Sequence, residues 1–174
     1  MILRAEKQGR PIQIQFFPAL RASRGKLLTG EGPGVAVHAG TFLRQRRIVL
    51  DTSLVASPAE LARILIHELC HFVWWRLDNS SRRSYEALVE GEMRQGAGGE
   101  LGWSAEWRKQ VLTVPDRRAR TRRWREYVAE SFCDTAAWLY SGSRRHVEVT
   151  LAAPFRRQRR VWYRRLQKLK RISL

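Results

Sequence analysis

The chain has 174 residues, 44% of them hydrophobic, which suits one globular domain with a real core and is too short for two comfortable domains. No run approaches the ~18 apolar residues of a membrane span, charge breaks the N-terminal MILRAEKQGRPIQ too early for a secretory signal, and two cysteines cannot staple a disulfide scaffold. A cytoplasmic protein is expected. The net charge is +17, of which residues 106–174 hold +13, so a polyanionic partner such as nucleic acid stands against a plain arginine-rich surface.

Residues 12–17 (IQIQFF) alternate apolar and polar and predict a strand with Ile12, Ile14 and Phe16 inward. TGEGPG at 29–34 is a turn cluster. Val35–His38 and Arg47–Asp51 read as two more strands, with Gly40 as punctuation between them. Short connections make antiparallel pairing the expectation. Ser57-Pro58-Ala59-Glu60 starts a helix, with an N-cap Ser, Pro at N1 and Glu at N3 as a capping box. It is expected to run to about Leu77, stopped by Asp78-Asn79-Ser80. Further helices are predicted from about Arg82 to Gln95, from Ser104 to Leu112, and from an Asp116 cap to Gly142. Residues 144–153 read as extended or loop. Pro154 opens a basic helix to about Ile172, with Phe155, Trp162, Leu166 and Leu169 as its apolar stripe. The fold class is α+β: a small, mostly antiparallel N-terminal sheet, then a helical part, in one domain over 1–174.

The first long helix contains His67-Glu68-Leu69-Cys70-His71. Helical residues four apart lie about 40° apart around the axis and ~6 Å along it. Both imidazoles therefore face one point, which suits two ligands of a tetrahedral zinc. Glu68 stands beside the pair, where it can take a proton from an activated water and pass it to a leaving amine. The bland alternative is a pair of core histidines with an incidental glutamate, which costs the desolvation of all three groups.

A catalytic zinc takes a third protein ligand. His38 and His146 lie in no recognisable ligand setting. Most downstream carboxylates (Glu86, Glu90, Glu92, Glu100, Glu106, Glu126) stand among charged neighbours and read as surface groups. Glu130 differs, because its stretch Tyr127–Trp138 is otherwise apolar. Glu130 and Asp134 share one helix face, with Tyr127 three residues earlier. A carboxylate pair inside an apolar helix needs a positive partner, and zinc with its histidines supplies one. Glu130 is the expected ligand, and Asp134 is expected to orient a histidine from behind. Tyr127, or His146, is the candidate oxyanion donor.

These residues resemble the gluzincins: His67-Glu68-Leu69-Cys70-His71 followed by Glu130-Ser131-Phe132-Cys133-Asp134 looks like that family's His-Glu-x-x-His and Glu-x-x-x-Asp. The resemblance covers about 30 residues. It implies one zinc per chain on His67, His71 and Glu130, Glu68 as base, Asp134 buttressing a ligand histidine, and a zincin-like fold. The 58 residues between His71 and Glu130 hold extra helices, which points to no particular subfamily. A second stretch, Gly102-Trp103-Ser104-Ala105-Glu106-Trp107-Arg108-Lys109, is similar to the His-Gly-x-x-Phe/Trp segment of SprT-like metalloproteases, which act on DNA-attached proteins. That family's third ligand is a histidine near this place, where this chain has Gly102 and Trp103.

Cys70 and Cys133 each follow a proposed ligand by three residues. They read as small buried residues at a helix contact rather than as a redox lock. Of seven tryptophans, Trp74 and Trp138 are expected in the core near the metal helices. Helix packing is the stronger reading for the others, and stacking on bases the weaker. Arg117–Arg125 and Arg156–Arg171 form the basic segments. Two readings follow. One is a zinc-dependent peptide hydrolase, with Arg47–Asp51 as the edge on which an extended peptide pairs. The other is a polyanion- or nucleic-acid-binding protein with a structural or vestigial metal site. A protease that acts on DNA-associated proteins would combine them.

Overall fold

A computed structural model describes residues 10–142 and 145–169. The class is α+β as expected, with strands first and helices after. The strands are β1 (Gln13–Phe17), β2 (Arg21–Ser23), β3 (Lys26–Leu28), β4 (Val35–Ala36), β5 (Ala39–Phe42) and β6 (Arg47–Asp51). They form two three-stranded sheets, ordered β1-β6-β5 and β3-β2-β4. All pairings but one are antiparallel; β1 runs parallel to β6. The short-connection argument holds for β5 and β6, joined by four residues. It fails for β1, because the whole second sheet intervenes and returns the chain to the same end. Gly40 lies inside β5, a strand the sequence pattern hid.

Two expectations about these strands are corrected. Ile14 and Phe16 are about 40% exposed, because β1 is an outer strand and its half-buried member is Gln15. β6 is the central strand, flanked on both sides, so Arg47–Asp51 offers no free edge to a peptide. Its buried Ile48 and Leu50 pack with Leu54 and Phe72, and with Leu61, Leu65 and Leu69 of the next helix.

That helix, α1 (Pro58–Arg76), has Pro at its first turn as expected, but the Ser57 side chain makes no cap bond. Glu60, the would-be partner of the capping box, turns instead to Arg63. Asp78 stops α1 by capping α2 (Asn79–Arg94), accepting from the Ser81 N–H, so α2 begins three residues early. Next come α3 (Trp103–Gln110), α4 (Val114–Ala119), α5 (Arg122–Tyr140) and α6 (Ala153–Lys168). The single long helix from Asp116 is broken in two. Thr113 and Asp116 form a capping box that starts α4, and Arg120, in the left-handed region at φ 49°, ends it before α5. The predicted end of the last helix at Ile172 lies outside the described residues. No helix among the described residues is long and apolar enough to cross a membrane.

Helix α1 is wedged between the β1-β6-β5 sheet and α5. One stripe meets the sheet, and Cys70, Val73 and Leu77 join Val128, Phe132, Cys133 and Ala136 of α5 in the larger core. Trp138 and Trp124 are buried in that core, while Trp75, Trp103 and Trp107 are exposed. Both cysteines are free and buried.

Helix α6 is fastened by a side chain the sequence reading assigned to the surface. Arg159 is wholly buried and bridges Glu92 of α2 and Glu100 of the α2–α3 loop, with Nη2–Oε2 and Nη1–Oε2 distances both of 2.6 Å. Lys109 reaches Glu100 at 3.3 Å, and Tyr127 donates to it at 2.6 Å. Glu86 is also buried, bonded by Arg120 and the Trp124 indole N–H. Three carboxylates expected at the surface are therefore interior. Each has an arginine partner from a distant part of the chain, which local charge patterning cannot reveal.

Candidate metal centre

The α1–α5 contact brings the predicted residues together. His67 Nε2 stands 3.2 Å from Glu130 Oε2, and His71 Nε2 stands 3.9 Å from the same oxygen. The i, i+4 spacing explains the pairing: the two rings lie 5.0 Å apart, edge to face, on the side of α1 that meets α5. His67 and Glu68 are buried and His71 is partly exposed. Behind His67, Asp134 Oδ1 lies 2.8 Å from Nδ1, which fixes the ring and turns Nε2 toward Glu130.

Asp134 is itself held. Its other oxygen accepts from the Ala105 N–H at 2.9 Å, at the start of α3. Gly102 packs so closely that a Cβ there would lie 2.4 Å from the Asp134 carboxyl carbon. The stretch likened to the SprT-like segment thus supports the carboxylate behind His67, and supplies no ligand. Gly102→Ala is expected to displace Asp134 and free the His67 ring. The check is the urea denaturation midpoint, which should fall, and an unchanged midpoint would mean that the contact relaxes without cost.

Cys133 is the residue the sequence reading set aside. His67, His71 and Cys133 offer ligand atoms within 4.8 Å of one another. However, the Cys133 thiol lies 3.4 Å from His71 Nδ1, whereas it is Nε2 of that ring that faces Glu130. Burial also pushes the Cys133 thiol well above its ordinary pKa, with the nearby Cys70, Glu130 and Asp134 adding to the shift. Its contact within the site is therefore to the back of the His71 ring, at 3.4 Å.

The electrostatics favour a cation. Burial opposes charge on Glu130, but His67, His71 and Arg108 outweigh it and hold its pKa at about 2. Burial likewise opposes charge on His67, and Asp134, Glu130 and Glu68 outweigh it, raising the pKa well above the usual histidine value. A buried anion that faces two imidazole nitrogens is satisfied by a proton or by a metal ion.

Two contributors went unseen in the sequence. Thr41 of β5 donates to Glu68 Oε2 at 2.6 Å and so fixes the carboxylate beside the histidines. Arg108 of α3 holds the far oxygen of Glu130, Nη2–Oε1 3.2 Å, while its guanidinium stacks 4.3 Å from the Trp107 ring centroid. Neither has a sequence signal: strand and helix meet the site only through the tertiary fold.

Two expected residues are not brought in. Tyr127 is fully buried and spends its hydroxyl on Glu100, inside the Arg159 network, so it is withdrawn as oxyanion donor. His146 pairs with Glu60 at 3.4 Å near the start of α1. There Arg63 also binds Glu148, which accepts from the Trp103 N–H, and the group ties residues 146–148 to α1 and α3. Comparison with protein families, with curated proteins and with solved structures gave no match.

Proposed function

We propose that this chain is a zinc-dependent peptide hydrolase with Glu68 as general base. The observation that carries the reading is the convergence of His67 Nε2 and His71 Nε2 on one carboxylate oxygen of Glu130, with Asp134 on the back of His67. Two imidazoles and a carboxylate are the donor set of a catalytic zinc that keeps one position open. His67, His71 and Glu130 hold one ion per chain. Bound there, zinc supplies a Lewis acid for a carbonyl and brings the pKa of water toward neutrality. Glu68, oriented by Thr41, accepts the proton of the attacking water and delivers it to the leaving amine. The outer strand nearest Glu68 is β5, which replaces β6 as the strand an extended peptide lies along. A purely structural site gives Glu68 no role, which ranks the binding-protein reading below the hydrolase.

The gluzincin resemblance is the one the ligand geometry favours, since Glu130, and no group of the Gly102–Lys109 stretch, faces the histidines. Elemental analysis tests it. Wild type is expected to carry about one zinc, Glu130→Ala to lose most of it, and Cys133→Ser to retain it. A zinc-free wild type sinks the site. Retention in Glu130→Ala with loss in Cys133→Ser moves the third ligand to Cys133.

A further inference from the structure

A cavity of about 350 Å³ opens where the end of α1, the first turns of α2 and the α4–α5 junction meet. Trp74, Asn79 and Val128 form part of its wall, and four arginines line it: Arg82, Arg83, Arg120 and Arg125. One carboxylate, Glu86, accompanies them. Glu86 is already committed, bonded by Arg120 through both oxygens at 2.5 Å and by the Trp124 indole N–H. Burial works against its charge, and Arg120 and Trp124 more than offset that, so its pKa is lowered and it stays anionic. It neutralises one guanidinium and has little left for the other three. Arg83 reaches it only at 3.8 Å. Arg125 has no carboxylate partner among the described residues.

The arginines differ in how they are held. Arg82 is pinned by the Trp74 carbonyl at 3.0 Å and by the Trp75 carbonyl, and lies against the Trp74 ring. Arg120 is fixed by Glu86 and by its left-handed backbone at the end of α4. Arg83 and Arg125 are exposed, and Arg83 reaches Glu86 only at 3.8 Å. Four guanidiniums around one concavity, with one carboxylate among them, repel one another, and an anion with several acceptor oxygens relieves that repulsion. Guanidiniums pair two-pronged with phosphate, and a tetrahedral phosphate has enough oxygens to take several at once. The cavity exceeds a bare phosphate, and its Trp74 and Val128 wall gives an attached organic group an apolar surface. Neither feature involves the metal centre, so this inference stands apart from the hydrolase reading.

We propose that this arginine-lined cavity is a binding site for a phosphate monoester carried on a small organic group of nucleotide size. The test is calorimetric titration of the full chain with inorganic phosphate, a nucleoside monophosphate and the matching nucleoside. The monophosphate is expected to bind tightest and inorganic phosphate more weakly, with the bare nucleoside not binding. Arg83→Gln combined with Arg125→Gln should weaken the monophosphate by about a hundredfold or more, since each lost charge-assisted bond is worth at least about tenfold. Arg125 has no carboxylate partner among the described residues, and Arg83 reaches Glu86 only at 3.8 Å while Arg120 holds both its oxygens, so the thermal midpoint should stay near that of wild type. Arg157→Gln on α6, outside the cavity, should change nothing. No binding of either phosphate at millimolar concentration overturns the proposal, as does a double variant that binds like wild type. Equal weakening by Arg157→Gln also overturns it, because the effect would then be diffuse charge.

Discussion

Glu68→Gln is expected to leave about one zinc bound per chain and the fold intact, while lowering peptide hydrolysis by about 10²–10⁴-fold. Gln keeps the shape of the side chain and still accepts the Thr41 hydroxyl through its amide oxygen, so the 2.6 Å contact to β5 survives. What it loses is the capacity to take a proton. Glu68 is not among the groups facing Glu130, so zinc content should not move with it. Alanine is a poorer test, because it also empties a buried position and releases Thr41. The readouts are turnover of a quenched fluorescent peptide and metal content on the same preparation. Hydrolysis retained in Glu68→Gln at full zinc assigns the base to another group, and loss of zinc along with activity makes Glu68 part of the metal-holding shell.

Residues that a helix's own pattern marks were legible, and partners that only the tertiary fold supplies were not. The helix bearing His67, Glu68 and His71 could be read because helical spacing alone brings i and i+4 side chains together. Glu130 and Asp134 stood out because carboxylates are costly in an apolar helix. Thr41 and Arg108 touch these residues across 27 and 22 positions of sequence, and nothing local marks them. Tyr127 shows the limit of face arguments. It precedes Glu130 by three residues, as predicted for a neighbour, but α5 is buried nearly all round, and its long side chain reaches the Glu100 network instead. The sheet failed for a related reason. Alternation in IQIQFF announces a strand, but which face is covered depends on where α1 lies over the sheet, and α1 leaves β1 at the margin.

The basic C-terminal segment is where charge counting misled most, and it yields the second large effect. Arg159 belongs to the basic segment Arg156–Arg171, yet it is completely buried between Glu92 and Glu100. Arg159→Met should cost about 3–5 kcal/mol of stability, because it leaves two buried carboxylates without their main counter-charge. Lys109 still reaches Glu100, which moderates the loss on that side. Arg157→Ala, on an exposed turn of the same helix, should stay within about 0.5 kcal/mol of wild type. The pH dependence separates charge from packing. Burial opposes ionisation of Glu100, but Arg159 and Lys109 outweigh it, and its pKa in the folded protein is lowered. A depressed folded pKa gives stability that is present above the unfolded value of about 4.3 and is lost as pH falls through the folded value. With Arg159 removed, burial is opposed chiefly by Lys109 and the Tyr127 hydroxyl, and the folded pKa of Glu100 is expected to rise above the unfolded one. The variant then loses stability as pH rises, and the gap from wild type should widen from pH 4 to pH 7. Urea denaturation at several pH values measures that gap. A large but pH-independent difference would show that Arg159 fills space rather than balancing charge, and a difference under 1 kcal/mol would show that water replaces its guanidinium.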